Sequence, residues 1–237
     1  MQTISVETLR SWLDEHRPVS VLDVRPTAER REWAIPGSLH IDAYEALRAH
    51  DPAALAALPA LNLPPGRPVV AVCGAGKTSL VAAEQLAAQG FEAYSLEGGM
   101  RAWSLAWNTA EVPLADADTT VRVIQVRRTG KGCLSYLIGA GVEAFVIDAS
   151  LNCEVYLKLA AQQAWRITHV FDTHIHADHL SRARELAEWC GAELVLPAQQ
   201  RVSFPFSPVR EGDNFNYGQL HLTALHTPGH TEESTCY

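Results

Sequence analysis

The sequence predicts an α/β protein in two domains, and three observations carry that prediction. Residues 5–107 alternate buried-strand and helix patterns, the grammar of a parallel sheet. After residue 120 come three successive strand patterns with glycines between them, the grammar of antiparallel hairpins, before helices return. Between the two, residues 109–119 show no periodicity and a cluster of acids, which reads as a linker. The expected domains are therefore 1–108 and 120–237.

In the first domain Ser5 is placed to cap a helix with Val6, Leu9, Trp12 and Leu13 at helical spacing. Val21-Leu22-Asp23-Val24 reads as a buried strand, Ile35-Pro36-Gly37 as a turn and Leu39-His40-Ile41 as a short strand. Pro52 to Leu58 is Ala/Leu-rich and predicts a helix. Pro68 to Val72 predicts a fully buried strand. Ser79 to Gln89 predicts a helix stopped by Gly90. Phe91 to Leu96 returns as a strand and Met100 to Trp107 as a last helix. In the second domain Val121 to Arg127, Cys133 to Ile138 and Ala144 to Asp148 read as antiparallel strands, with turns at Gly130, Gly132, Gly139 and Gly141. Glu154 to Trp165 predicts a helix, Thr168 to Asp172 a strand and Ala177 to Cys190 a helix. Glu193 to Leu196 and Leu220 to Leu225 predict further strands. The sequence contains no internal repeat and no low-complexity segment.

Composition narrows the function classes. Of 237 residues, 47% are hydrophobic and 19% charged, enough for ordinary globular cores. A formal net charge of -8 without a basic stretch disfavours a general nucleic-acid binder. The start, Met1-Gln2-Thr3-Ile4, does not resemble a signal peptide, and no apolar run is long enough to span a bilayer. The expectation is a soluble cytoplasmic protein with no membrane partner. The five cysteines, Cys73, Cys133, Cys153, Cys190 and Cys236, form no C-x-x-C pair and read as free thiols. All except Cys73 are expected to be small buried hydrophobes.

Cys73 has a different setting. The strand Val70-Ala71-Val72 runs into Cys73-Gly74-Ala75-Gly76-Lys77-Thr78-Ser79, and a helix follows at once. The thiol thus stands at the ligand edge of an open α/β sheet. Two glycines let the backbone curl so that its N–H groups form an anion nest, with the helix dipole behind it. The same field stabilises a thiolate or a persulfide anion. A nucleotide-phosphate loop is disfavoured, because Gly76 lies only two residues after Gly74 and G-x-x-x-x-G-K-[ST] fails. A buried structural cysteine remains the rival reading.

This stretch resembles the rhodanese family of single-domain sulfurtransferases over nearly all of residues 1–108. Leu22-Asp23-Val24-Arg25, Ile35-Pro36-Gly37-Ser38, the six-residue loop Cys73 to Thr78 and Gly98-Gly99-Met100-Arg101-Ala102-Trp103 resemble its four ordered motifs. The resemblance implies a three-layer fold around a parallel sheet. It further implies that Cys73 is catalytic, carrying sulfane sulfur as a persulfide, while the amides of Gly74, Ala75, Gly76, Lys77 and Thr78 bind an anionic donor. Thr78 stands where many members have arginine, and Ala34 where many have histidine. Lys77 is left as the only cation of the loop.

Thr173-His174-Ile175-His176-Ala177-Asp178-His179 follows the strand ending at Asp172, and Thr227-Pro228-Gly229-His230 adds a later histidine. Three imidazoles and a carboxylate within six positions are metal-ligand types at metal-ligand spacing. Asp178 and His179 are expected to open the next helix. His16, His40, His50, His169 and His221 read as ordinary histidines, and His226 as a neighbour of the cluster.

The pattern H-x-H-x-D-H with a later T-P-G-H resembles the metallo-β-lactamase superfamily from about residue 120 onward. It implies an αββα domain that is incomplete here, because Tyr237 comes seven residues after His230 and no downstream bridging aspartate is seen. The expectation is either a fragment or an incomplete domain. Pairing with a rhodanese module points to the persulfide dioxygenase branch, which implies one Fe(II) held by His174 and His230, with the downstream aspartate that is not seen here as the third ligand. His176, Asp178 and His179 are then outer-sphere residues. In the glyoxalase II-like hydrolase branch, which uses Zn(II), they are second-metal ligands. The reading is a sulfur-metabolism fusion in which Cys73 transfers sulfane sulfur and the metal domain oxidises a low-molecular-weight persulfide to sulfite. The alternatives are a zinc thioester hydrolase with a rhodanese module, and a sulfurtransferase whose metal domain is non-catalytic. Partners are small-molecule thiols and persulfides with thiosulfate or sulfite, and a homodimer is allowed.

Overall fold

The computed structural model describes residues 2–114, 121–218 and 220–237. The chain divides into two compact units, residues 1–106 and 107–237.

The first unit contains β1 (Thr3–Ile4), α1 (Val6–Asp14), β2 (Ser20–Asp23), α2 (Thr27–Glu32), β3 (Leu39–His40) and α3 (Tyr44–Arg48). These are followed by β4 (Val69–Val72), α4 (Thr78–Ala88), β5 (Ala93–Leu96) and α5 (Gly99–Trp103). All five strands are parallel, in the order β1-β5-β4-β2-β3. Alternation along the strands divides the core. Val21, Val70 and Val72 face one layer with Leu9 of α1 and Met100 and Trp103 of α5. Leu22, Val69, Ala71 and Cys73 face the other, with Leu47 of α3 and Leu86 of α4. A sheet buried on both faces explains why these strands read as continuous apolar runs. Ser5 caps α1 as expected, its hydroxyl accepting from the Thr8 N–H at 3.1 Å.

Two features of this unit depart from the sequence reading. Pro52 to Leu58 is not an α-helix. It forms successive turns closed by three-residue hydrogen bonds, such as Leu58 N–H to Leu55 O, and ends in a 3₁₀ segment over Leu58–Leu61. Pro59 has no N–H to give and its ring crowds the carbonyl four residues back, so an α-helix cannot pass through it. Helix α2, in contrast, was not anticipated, because it buries no residue and has no apolar stripe.

The second unit opens with β6 (Asn108–Val112), β7 (Val121–Arg128), β8 (Cys133–Ala140) and β9 (Glu143–Ile147). Then come α6 (Cys153–Gln162), β10 (Arg166–Phe171), α7 (Ala183–Cys190), β11 (Glu193–Pro197) and β12 (Ser207–Val209). Seven strands form one sheet in the order β12-β11-β10-β9-β8-β7-β6, antiparallel from β6 to β9 and parallel from β9 to β12. Separate two-stranded ribbons follow, β13 (Asn214–Tyr217) with β14 (Leu220–Thr223) and β15 (Leu225–His226) with β16 (Thr235–Cys236). Helices α6 and α7 cover one face of the sheet through Tyr156, Ala160, Leu186 and Ala187. The ribbon β13–β14 covers the other, where Tyr217 stacks on Phe145.

Residues 108–112, expected mostly within the linker, form the edge strand β6. Its alternating exposure and the Glu111–Arg122 pair at 2.9 Å are those of a solvent-facing edge, which is why it lacked an apolar signature. The linker residues 115–119 lie outside the described residues. Gly139 is not a turn residue but lies inside β8. A Cβ there would meet the Trp165 ring at 2.2 Å, so the bare backbone is what lets the indole lie flat on the strand. The helix expected from Ala177 begins only at Ala183. Residues 177–182 form a loop instead, and Asp178 and His179 sit in it. Among the described residues no helix is long and apolar enough to cross a membrane.

Candidate functional site

Two constellations are built, one in each unit. In the first, β4 delivers Cys73 to the floor of a loop that ends in α4. The thiol is 1% exposed. Its Sγ accepts from the Gly76 N–H at 3.2 Å and lies 3.3 Å from the Ser79 hydroxyl, which is itself 2.8 Å from the Ser95 hydroxyl. Burial pushes the thiol pKa up, but the Ser79 hydroxyl and the N–H groups of Ser79, Ala75 and Gly76 outweigh it. The net pKa is lowered, which is the condition for a thiolate nucleophile. Gly74, Ala75, Gly76 and Lys77 line the turn, while Thr78 is buried at the first turn of α4. A buried cysteine is therefore what the structure shows, yet its donors face the sulfur rather than leaving it inert.

The loop is held from below. The Met100 N–H donates to the Cys73 carbonyl at 2.8 Å, and the Arg101 N–H to the Gly74 carbonyl at 3.0 Å. Gly99 (φ +55°) makes this approach achievable, because a Cβ there would lie 2.2 Å from the Cys73 carbonyl oxygen. The motif around Asp23 is structural as well. Asp23 and Arg25 form a buried bidentate pair at 2.7 to 3.2 Å, and Arg25 also donates to the Trp33 carbonyl at 2.9 Å. Arg30 donates to the Ser38 hydroxyl at 2.7 Å, tying α2 to the Ile35-Pro36-Gly37-Ser38 turn.

In the second unit the loop after β10 gathers histidines. The His174 and His176 ring centres are 4.1 Å apart, His174 and His230 4.9 Å, and His176 and His179 4.4 Å. All five predicted residues thus belong to one region, with His230 exposed at its rim. Two carboxylates missed in the sequence complete it. Asp148, at the end of β9, accepts from the Thr173 N–H at 2.7 Å and the Thr173 hydroxyl at 2.9 Å, and lies 3.0 Å from His176 Nε2. Asp172, at the end of β10, accepts from the Ser181 hydroxyl at 2.8 Å. Burial and the neighbouring Asp148 charge push Asp172 up to about 7, against the pull of Ser181 and His176. Each aspartate closes a strand beside the cluster, and that position is the signal that could have found them.

The donor set is tested by its protons. The Thr173 hydroxyl has one proton and gives it to Asp148, so towards His174 Nδ1, 2.9 Å away, it can only accept. That puts the ring proton of His174 on Nδ1 and leaves Nε2 with a lone pair. His179 is fixed in the same way by Asp178 at 3.0 Å from its Nδ1, and its buried Nε2 has no hydrogen-bond partner. His176, Asp178 and His179 bring ligand atoms within 4.8 Å of one another, as do Asp148, Asp172 and His176. Oriented imidazoles with unclaimed nitrogens beside carboxylates fit a first-row metal ion.

Comparison with known proteins bears on both units. Residues 5–106 match the family model of the rhodanese-like domain, and residues 128–236 that of the metallo-beta-lactamase superfamily. The chain is a rhodanese-like domain followed by a metallo-β-lactamase superfamily domain. The hydroxyacylglutathione hydrolase of Rhizobium johnstonii is 36% identical over 93 residues, covering 38% of this chain and 36% of that protein. The chain spans about a third of the length of the curated relatives it matches. Among solved structures, ETHE1 from Myxococcus xanthus is 30% identical, covering 54% of this chain and 52% of that one, at a TM-score of 0.39. A rhodanese-like domain protein from Staphylococcus aureus is 30% identical over 44% of this chain and 91% of its own, at a TM-score of 0.36.

The remaining cysteines and histidines divide less simply than the sequence suggested. In the metallo-β-lactamase domain Cys153 is buried and its pKa is pushed up to about 11 by burial. Cys133 and Cys190 are only half-buried and Cys236 is exposed, on the short strand β16, so the expectation of four buried thiols holds for Cys153 alone. In the rhodanese-like domain His40 is an ordinary partner, its Nε2 2.8 Å from the Arg25 carbonyl. His226 hydrogen-bonds the Glu232 carbonyl at 2.8 Å.

Proposed function

We propose that the rhodanese-like domain transfers sulfane sulfur through a persulfide on Cys73. The observation that carries this is the thiol at the floor of an amide-lined loop, with its pKa lowered by donors aimed at the sulfur. The thiolate attacks the outer sulfur of a hydropersulfide RSSH, the S–S bond breaks, RS⁻ leaves and Cys73–SSH remains. Gly74, Ala75, Gly76, Lys77 and Thr78 supply the cradle that binds the donor and holds the persulfide anion. A nucleophilic acceptor then removes the outer sulfur and restores the thiolate.

The metallo-β-lactamase domain acts, in the same proposal, on a low-molecular-weight persulfide: RSSH + O₂ + H₂O gives RSH, sulfite and two protons. Sulfur is oxidised and O₂ reduced. His174 and His230 would hold Fe(II), which supplies redox chemistry at open positions when bound. Thr173 and Asp148 keep His174 in the tautomer with its Nε2 lone pair free, and Asp148 orients His176. The shared substrate type is what would join the two activities in one cytoplasmic chain.

A second reading has its own support. The hydroxyacylglutathione hydrolase relatives and the compact His176–Asp178–His179 group favour a Zn(II) thioester hydrolase in which those three residues hold a second ion. Elemental analysis of the purified chain separates the two. One iron per chain with persulfide-dependent O₂ uptake supports oxidation, and two zinc per chain with thioester cleavage supports hydrolysis. Uptake no greater than that of His174→Ala refutes the oxidation reading. If no metal binds and sulfur transfer persists, only the sulfurtransferase remains.

A further inference from the structure

The backbone on each side of His174 is held by a carboxylate. The Thr173 N–H donates to Asp148 at 2.7 Å, and the Ile175 N–H donates to Glu233 Oε1 at 3.2 Å. Glu233 is an acid with only 7% of its surface exposed, three residues after His230. The histidine motifs do not include it.

Its place follows from a short ladder. Residues 235–237 pair in the opposite direction with residues 172–173. The Tyr237 hydroxyl donates to the Asp172 carbonyl at 3.2 Å, and the Thr235 N–H to the Thr173 carbonyl at 2.9 Å. At Ile175 the oxygen is supplied by the Glu233 side chain instead of a backbone carbonyl. The chain before it is folded into a closed turn. There the Thr227 N–H donates to the Ser234 carbonyl at 2.8 Å, and the Thr231 and Ser234 hydroxyls lie 2.8 Å apart. His230 sits in that turn, its ring edge to face with His174 at 4.9 Å between centres. Ile175 is fixed from its other end, because its side chain packs against the core under α6 and α7.

A carboxylate this buried is costly unless it is paired and hydrogen-bonded. Arg201, half exposed, meets that need by donating from Nη1 to the same Oε1 at 3.2 Å. One oxygen thus receives both the guanidinium and the amide between His174 and His176.

We infer that Glu233 is a positioning residue of the metal centre, fixing the Ile175 amide between His174 and His176 and tying it to the turn that presents His230. The inference rests on the metal-binding reading of the histidine cluster and applies to iron and zinc alike.

The test compares the full chain with Glu233→Ala, Glu233→Asp and Glu233→Gln. Zn(II) affinity is measured by chelator competition, the visible absorption of bound Co(II) reports the ligand arrangement, and circular dichroism reports folding. Glutamine keeps an oxygen where both N–H groups converge. Aspartate keeps the charge but is one methylene too short to reach Ile175, and alanine keeps neither. The alanine and aspartate variants should lose Zn(II) affinity about 10- to 100-fold and alter the Co(II) spectrum, with glutamine within about threefold and its spectrum unchanged. A merely structural ion pair with Arg201 would reverse the order of aspartate and glutamine, and that order overturns the inference. So do native affinity and spectrum in a folded Glu233→Ala, or in Glu233→Asp where the alanine variant does not fold, with metal binding by the unaltered chain left standing. If the unaltered chain binds neither ion, the metal reading fails and the inference fails with it.

Discussion

Replacing Gly99 by alanine tests whether the loop is held at its working geometry by the closing motif beneath it. The added Cβ would lie 2.2 Å from the Cys73 carbonyl, 2.7 Å from the Gly76 nitrogen and 2.9 Å from the Ala75 nitrogen. Real contacts of this kind stay above about 3 Å, so the loop must rise by roughly 1 Å. The Gly76 N–H and the Ser79 hydroxyl are the groups that define the sulfur's surroundings, and displacements of about 1 Å typically cost about 100-fold in rate. Backbone strain adds a separate penalty of about 1–2 kcal/mol, since the position has φ +55°. Gly90 isolates that second effect. It has φ +89° at the end of α4 and nothing within 4 Å of its added Cβ. By urea unfolding Gly90→Ala should lose only the backbone-strain penalty, and Gly99→Ala more, because it adds the clash with the loop. Only Gly99→Ala should lose sulfur transfer to cyanide by about 100-fold, with Gly90→Ala remaining within about twofold. If both variants transfer sulfur at the same rate, the argument for the supporting motif is wrong.

Ser79→Ala removes the hydroxyl 3.3 Å from the sulfur, so the Cys73 pKa should rise. A lowered thiol pKa keeps the thiolate present at lower pH than in an ordinary cysteine. The alkaline-rising limb of Cys73 alkylation, followed by peptide mass spectrometry, should therefore move to higher pH, with activity at neutral pH falling several-fold. Tyr156→Phe leaves the N–H groups of Ser150 and Leu151, at 2.9 and 3.3 Å from the Tyr156 oxygen, without their buried partner. A loss of about 1–3 kcal/mol should appear in denaturant unfolding, and no change in midpoint would discount the network. Asp148→Asn removes the charge that fixes Thr173 and His176, and should weaken metal affinity about 10- to 100-fold in chelator competition. Unchanged affinity would show that Asp148 does not orient the histidines.

Much of this was legible in the sequence where apolar period and chemistry coincide. The strand over Val69 to Val72, the place of Cys73 at its end and the helix that begins at Thr78 follow the reading, because a doubly buried strand and a glycine-rich turn have strong local signatures. The clustering of His174, His176 and His179 was legible from their spacing, although His179 was expected on a helix and sits in the loop, and His230 joins them from the segment between β15 and β16. What escaped had no local signature. Helix α2 buries nothing, yet it carries Glu29 to the loop and Arg30 to Ser38. Strand β6 is a polar edge that only its partner β7 reveals. Asp148 sits 26 residues before His174 in the chain (174 minus 148), and only the parallel pairing of β9 with β10 brings the two strand ends together. The loop from Ala177 to Arg182 read as helix because its residues are helix-compatible, whereas Asp178 and His179 are held there by their own hydrogen bond and Ser181 is drawn to Asp172.

Sulfur loading of Cys73 is the most direct test of the proposed chemistry. The purified, reduced full chain is incubated with an alkyl hydropersulfide, freed of excess donor, and analysed by intact and peptide mass spectrometry. The account predicts a gain of one sulfur atom on the peptide containing Cys73, removed by cyanide and absent in Cys73→Ser. Sulfur found only on the exposed Cys236, or no gain at all, would contradict it.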